Sequence, residues 1–364
     1  MPSIILKVTE DCNSNCIYCD VVSKRKRGSS LPPDLLETVF IRMNEFLTSH
    51  PDETITLLWH GGEPLLLGPR YFQAAFELQE KHCSGTESRI RHCIQTNLTL
   101  FSQDFIDPFR KLGITQIGTS YDPEPHVRGP GKEVDSFSYN RMFLRSTSLL
   151  ERNGFTWGVI YVVTRKSLKN PLDTFHCLTN LKLDGGFNMN PVLIYDEERR
   201  DIAITPEEYV DFLGTIFPTW WRHQKRFGGV EPFRSLTRCI RDRAPSLGCV
   251  DSGSCAFNHL NIAPDGEASQ CGRSSDWGLL NYGNIADKTL KDLLQDEQRQ
   301  QFIERNEILP HTECKGCRYW AICHGGCPLD AYAEHGSYMH KSRWCDAKKG
   351  FIEKHFEPVT GIRY

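Results

Sequence analysis

Three cysteines within the first nineteen residues, Cys12, Cys16 and Cys19 of "CNSNCIYC", constrain this chain more than any other stretch. The spacing C-x3-C-x2-C turns one short loop toward a common centre, and thiolates are ligands for zinc and for iron–sulfur clusters. Four thiolates would close a tetrahedral zinc site, and a secreted chain would spend its cysteines on disulfides. Three fit neither pattern. The chain has 15 cysteines, an odd number, and "MPSIILKVTED" runs straight into an apolar strand pattern without a basic n-region, a long apolar segment or a small-residue cleavage site. The expectation is a cytoplasmic protein with reduced thiols.

Cysteine positions divide the chain. Eight more lie between Cys249 and Cys345, whereas Cys83, Cys93, Cys177 and Cys239 are scattered and read as small buried hydrophobes. Between the dense groups, short β-rich runs alternate with amphipathic stretches. "SIILKV", "TITLLW", "RIRHCIQ", "ITQIGTS", "WGVIYVV" and "FNMNPVLI" read as strands. Leu35, Leu36, Val39, Phe40, Met43, Phe46 and Leu47 keep a helical stripe after Pro32 and Pro33, and further periodic stretches lie near 70–82, 102–112, 136–153 and 171–181. Six strands with helical crossovers predict an α/β fold with a parallel sheet, curled into a partial (β/α)6 TIM-like barrel whose active site lies at the strands' C-terminal ends. "HGGEP", "QTN" and "SYD" each follow or end a strand, as that rule requires.

The expected organisation is a barrel over 1–200, a helical bridging segment over 201–248 and a cysteine-rich domain over 249–364. Thr205-Pro206-Glu207-Glu208 has the form of a capping box opening a helix that ends near Phe227-Gly228-Gly229, with Trp220 and Trp221 expected to cover an edge of the barrel. No apolar run is long enough to span a bilayer. A formal net charge of -3 provides no field that would draw nucleic acid.

A cubane cluster held by only three thiolates keeps one iron without a protein ligand, and that iron can bind a small molecule by its nitrogen and oxygen atoms. C-x3-C-x2-C, with Tyr18 just before its last cysteine, resembles the signature of the radical S-adenosylmethionine (radical SAM) enzymes. The resemblance implies that the open iron chelates S-adenosylmethionine and that an electron from the cluster releases a 5'-deoxyadenosyl radical. Gly61-Gly62-Glu63-Pro64 matches the family's glycine-rich segment, expected to bring its backbone close to the cofactor's amino group. By the same resemblance Thr96 and Asn97 line the cofactor side, and Ser120 and Asp122 lie near ribose or substrate. Relatives read serine-apolar-aspartate-glycine there, whereas this chain has Tyr121 and Pro123, so local substrate contacts differ. Arg128 and Arg141 are the two candidates to pair with the cofactor carboxylate.

The C-terminal group, Cys255-x10-Gly266-x4-Cys271 followed by Cys314-x2-Cys317-x5-Cys323-x3-Cys327 and Cys345, resembles the seven-cysteine pattern of the SPASM domain, and Cys249 adds an eighth. The resemblance implies two auxiliary four-iron four-sulfur (4Fe-4S) clusters, one on Cys249, Cys255, Cys271 and Cys327, the other on Cys314, Cys317, Cys323 and Cys345. With the N-terminal cluster that makes three. Spacing alone leaves two structural zinc sites as the competing reading. Fully ligated clusters serve electron transfer, so a hydrogen abstraction followed by loss of a second electron becomes a net two-electron oxidation.

That chemistry suits maturation of a ribosomally made peptide, by a crosslink or cyclophane, a thioether or a dehydrogenation, with a flavodoxin- or ferredoxin-type electron donor. Many peptide-modifying relatives carry a leader-binding domain before the barrel, and here the first strand starts near Ile4, so the expectation is one of three: a separate leader-binding protein presents the precursor, the substrate binds the barrel directly, or the substrate is not a ribosomal peptide. Anaerobic sulfatase-maturing relatives carry an aspartate directly after the cysteine matching Cys271. This chain has Gly272 and Arg273, which ranks formylglycine formation lower and leaves Asp276, Asp196, Glu197, Tyr195 and Tyr121 as candidate bases. A radical dehydrogenase or epimerase acting on a sugar or aminocyclitol, and a non-enzymatic iron–sulfur or zinc scaffold, are the alternatives.

Overall fold

The computed structural model describes residues 1–19, 28–181, 183–194, 199–227, 229–244, 248–251 and 253–364. Its strands are, in chain order, β1 (Ser3–Lys7), β2 (Ile55–His60), β3 (Ile90–Thr96), β4 (Gln116–Ser120), β5 (Thr156–Val163), β6 (Phe187–Pro191), β7 (Val230–Glu231), β8 (His259–Ile262), β9 (Glu267–Ser269) and β10 (Asn281–Asn284). The longer helices are α1 (Pro33–Ser49), α2 (Pro69–His82), α3 (Ser136–Arg152), α4 (Pro171–Thr179), α5 (Pro206–Arg222), α6 (Phe233–Arg241), α7 (Gln300–Ile308), α8 (Pro328–His335) and α9 (Trp344–Phe351). The six expected strands form as β1 to β6, each followed by helix, so the α/β reading with a parallel sheet holds.

Two compact units cut across the linear segments 1–200, 201–248 and 249–364. The first comprises residues 1–121, 125–158 and 257–299, the second 122–124, 159–256 and 300–364. In the first unit β1 lies between β2 and β8, parallel to both, and β3 and β4 continue the parallel order. Strands β8, β9 and β10 form an antiparallel meander at the other side. Register decides which side chains face the helices. Leu6 stands beside Trp59, and Trp59 meets Tyr71 and Phe72 of α2 edge-to-face at 6.5 and 5.5 Å, so Ile4, Leu6, Ile55, Leu57 and Trp59 form the fully buried helix-side core. Alternation then sends Lys7 and His60, paired in the same register, to the opposite face. Helix α1 buries Leu36, Val39, Phe40, Met43, Phe46 and Leu47, which is the stripe its periodicity predicts.

In the second unit β5, from Val159 onward, pairs in parallel with β6, and β6 with β7. The capping box is present: Glu208 N donates to Thr205 Oγ1 at 3.2 Å and Thr205 N to Glu208 Oε2 at 2.8 Å. The helix it opens is shorter than expected. It stops at Arg222, where His223 leaves helical geometry, and a separate short helix covers Gln224–Phe227. Trp220, 2% exposed, packs on Phe217 and Phe233, and Tyr209 meets Trp344 of α9 at 5.8 Å.

Candidate active site

The site grows from the end of β1. Val8 N donates to His60 O and Leu31 N to Val8 O, extending the strand's pairing by a residue before the chain turns into the cysteine loop. Thr9 Oγ1 then accepts from Asp11 N at 3.1 Å, and the Asp11 carboxylate accepts from Gly28 N. Across the loop, Asn15 N donates to Gly129 O at 2.8 Å and Ile17 N to Val127 O at 3.1 Å, so the loop is stapled to residues 127–129 as a strand edge would be. Ser14 N and Asn97 Nδ2 point at Cys12 Sγ, at 3.4 and 3.9 Å, a donor set suited to an anionic sulfur. Burial pushes the Cys12 thiol up to about 11, with Ser14 N opposing and the Glu63 and Cys19 charges adding to the rise. Ionisation therefore needs a cation in place of the proton, as a cluster iron would be.

The glycine segment follows β2, and its glycines lie against the chain's own backbone. The methyl of a residue at Gly61, whose φ is +136°, would lie 2.2 Å from Thr9 O, and one at Gly62 would lie 2.1 Å from Asp11 O. Gly62 N and Glu63 N donate to those same carbonyls, each at 2.8 Å. The expectation of close backbone approach to a cofactor is thus refined: the two glycines let this turn lie directly on the start of the cysteine loop. Gly62→Ala is expected to lower stability by about 1–3 kcal/mol through overpacking, read as a fall in Tm, and to reduce the iron retained on the N-terminal loop.

Glu63 is fully buried and its carboxylate is occupied by three donors of the chain: Leu65 N at 2.9 Å, Thr96 Oγ1 at 2.6 Å and Asn97 N at 2.6 Å. Burial raises it to about 7 while those donors, and Arg128 at longer range, pull it down. It acts as a strap between the ends of β2 and β3. Pro64 begins the short turn that follows. Asn97 spends its amide on Asn13 Oδ1 at 2.8 Å and its carbonyl on Thr99 N at 2.9 Å, so the "QTN" segment supports the cysteine loop from below. An open pocket of about 570 Å³ adjoins it, lined by Thr9, Asp11, Cys12, Asn13, Ser30, Leu66 and Leu67.

The remaining expected residues separate. Arg128, 7% exposed, donates to Tyr18 Oη and lies over the Tyr18 and Tyr139 rings at 5.7 and 5.6 Å, beside the cysteine loop. Arg141 is exposed on α3, near Asp135 at the start of that helix. Ser120 O accepts from Tyr139 Oη at 2.7 Å and Ser120 Oγ from Gln95 Nε2 at 3.2 Å. Tyr121 is buried and stacked on Phe143 at 4.7 Å, a packing role rather than that of an exposed base. Asp122, 2% exposed, accepts from Val162 N at 3.2 Å within the second unit. Tyr195, Asp196 and Glu197 lie outside the described residues.

One buried charged pair escaped the sequence reading. Lys7, 1% exposed, presents its ammonium to Asp276 and, at 3.7 Å, to Glu10. Asp276 closes the short helix Gly272–Asp276, which starts on Cys271. Neighbouring His60 accepts from Gly61 N at 2.7 Å and is held down to about 4 by burial and by the Lys7 charge, so it stays neutral. A lysine interrupting the apolar run "SIILKV" was the available signal.

In the second unit, Cys314, Cys317, Cys323 and Cys345 converge. Cys345 hydrogen-bonds to Cys323, lowering Cys323 to about 7, and burial with the charges of Cys323 and Cys317 raises Cys314 to about 11. These four fit the thiolate set expected for one auxiliary cluster. Cys249 and Cys255 line a small cavity with Pro328, next to Cys327, which caps α8. Cys271 belongs to the first unit. Among the described residues no three His, Cys, Asp or Glu side chains meet closely enough to hold a single metal ion.

Residues 6–123 match the Radical SAM superfamily and residues 249–318 match the iron-sulfur cluster-binding domain SPASM. The chain is 24% identical to the cysteine-type anaerobic sulfatase-maturating enzyme of Clostridium perfringens, over 99% of its own length and 98% of that protein's. Native anSMEcpe with bound AdoMet and Cp18Cys peptide superposes with a TM-score of 0.83 at 23% identity, covering 99% of this chain and 98% of that one. Streptococcus suis SuiB bound to precursor peptide SuiA gives 0.63 at 15% identity, covering 95% and 76%. Likeness at such identities establishes the fold.

Proposed function

We propose, from the premise that this chain belongs to the radical SAM superfamily and carries a SPASM domain, that it is an oxidoreductase acting on a side chain of a peptide, in the maturation of a ribosomally made product. Cys12, Cys16 and Cys19 would hold the cluster that binds S-adenosylmethionine, and the eight cysteines from Cys249 to Cys345 the auxiliary clusters. When bound, these groups supply a 5'-deoxyadenosyl radical, which takes a hydrogen atom from the substrate, and an acceptor for the second electron.

The chain's own part is to place the cofactor and to take the proton that leaves as the substrate radical is oxidised. Arg128, buried against Tyr18, is the candidate for the cofactor carboxylate. The observation that carries the reading is the Lys7–Asp276 pair. A carboxylate held in place by a fixed ammonium, on the strand face that the helices do not cover, is the candidate to take the proton. On this reading Asp276 would fill the role left open by Gly272. Two hydrogens leave the substrate, one as an atom and one as a proton with its electron accounted for separately.

Peptides seated on two structural neighbours support a peptide substrate here. Full-length similarity to a sulfatase-maturating enzyme favours a second reading, oxidation of cysteine or serine to formylglycine, with Asp276 displaced along the helix from the usual position. Anaerobically reconstituted protein, S-adenosylmethionine and a strong reductant are incubated with sulfatase-derived cysteine and serine peptides and with short peptides encoded near the gene. Loss of two hydrogens from a nearby peptide supports the first reading. An aldehyde captured by a hydrazine reagent supports the second. Unchanged peptides, with oxidation of a sugar or aminocyclitol instead, overturn both.

A further inference from the structure

Arg305 of α7 is 3% exposed, yet its partners are all neutral carbonyls. Nη1 donates to His324 O at 3.0 Å, Nη2 to Gly325 O at 3.0 Å and to His340 O at 2.9 Å, and Nε to His340 O at 3.3 Å. The guanidinium thus gathers the "CHGGC" loop between Cys323 and Cys327 and the segment ahead of Cys345. Its donors are satisfied, but its charge is not. A buried cation with no anion costs several kcal/mol, and carbonyl dipoles offset only part of that. The groups that act on its charge include the sulfurs of Cys327, Cys314, Cys255 and Cys323, which are anionic when they ligate a cluster. Arg305 also lines the small cavity that holds Cys249 and Cys255.

We infer that Arg305 is a positioning residue and a counter-charge shared by the ligand sets of both auxiliary clusters, and that it raises their reduction potentials. The inference rests on the cluster assignment above. Cys255 and Cys327 belong to one expected set, Cys314 and Cys323 to the other, so one guanidinium faces both. A cluster on four thiolates gains negative charge when reduced, and a fixed positive charge favours that state. Each auxiliary cluster is therefore a better acceptor for the electron leaving the substrate than its thiolates alone would make it. Arginine suits the position because its fork spans three carbonyls while the charge stays delocalised and permanent.

The test uses the full chain with Cys12, Cys16 and Cys19 replaced by alanine, reconstituted anaerobically, so that the auxiliary clusters alone give the paramagnetic signal. Midpoint potentials are read by redox titration for the parent, Arg305→Gln and Arg305→Lys. Arg305→Gln is expected to load iron as the parent does and to lower both potentials, changing the reduced-to-oxidised ratio at a fixed poise about tenfold, or about 59 mV for one electron. Arg305→Lys, which keeps the charge without the fork, should return most of that shift. Full iron with unmoved potentials in Arg305→Gln overturns the inference. If Arg305→Gln does not load, Arg305→Lys decides: parent-like loading and potentials support the counter-charge role, and failure to load reduces Arg305 to a loop staple and overturns it. A parent without auxiliary-cluster signals sinks the cluster assignment itself, a different failure.

Discussion

Cys12→Ala abolishes 5'-deoxyadenosine release from S-adenosylmethionine while the auxiliary clusters stay in place. Iron falls from about twelve to about eight per chain, one cubane out of three. The expectation follows from the loop. Cys12 is the thiol that Ser14 N and Asn97 Nδ2 address, and the two remaining thiolates are not expected to retain a cluster. Nucleoside assay, iron and sulfide analysis and a paramagnetic resonance spectrum of the reduced protein check it together. Parent-level nucleoside release in the variant would remove the central assignment.

Asp276→Asn loses product while nucleoside release continues uncoupled, and it destabilises the fold on the order of 3 kcal/mol. The stability effect arises because the variant strips the nearer counter-charge from an ammonium that is 1% exposed, leaving it Glu10 at 3.7 Å among the described residues. Product falls because the carboxylate proposed to take the proton is gone. The two effects separate in a double variant, Lys7→Met with Asp276→Leu, since replacing a whole buried pair by apolar groups is often neutral. Thermal unfolding should recover toward the parent, and product should not. Product formation by the double variant would place the base elsewhere.

Periodicity and turn chemistry carry far in this chain. The stripe of α1, the capping box at Thr205 and all six leading strands stand where residue spacing puts them, because each depends on side chains a few positions apart. The cysteine inventory is legible for the same reason: ligand spacing is local. Glycines at 61 and 62 were legible as a motif but not in their cause, which is the nearness of Thr9 and Asp11 carbonyls some fifty residues earlier in the chain.

Lys7 and Asp276 are 269 residues apart, and Arg305 finds its carbonyls 19 to 35 residues away. No pattern in the amino-acid order announces such pairs. The Lys7–Asp276 pair exists because β8 adds to β1 in parallel, carrying residues 257–299 into the first unit, and because register turns Lys7 away from the helix-side core. The order of residues by itself determined which atoms can bind iron and which segments form strands and helices. Only tertiary structure decided where the buried charges stand and what balances them, since a charge is compensated by whatever the fold brings within a few ångströms.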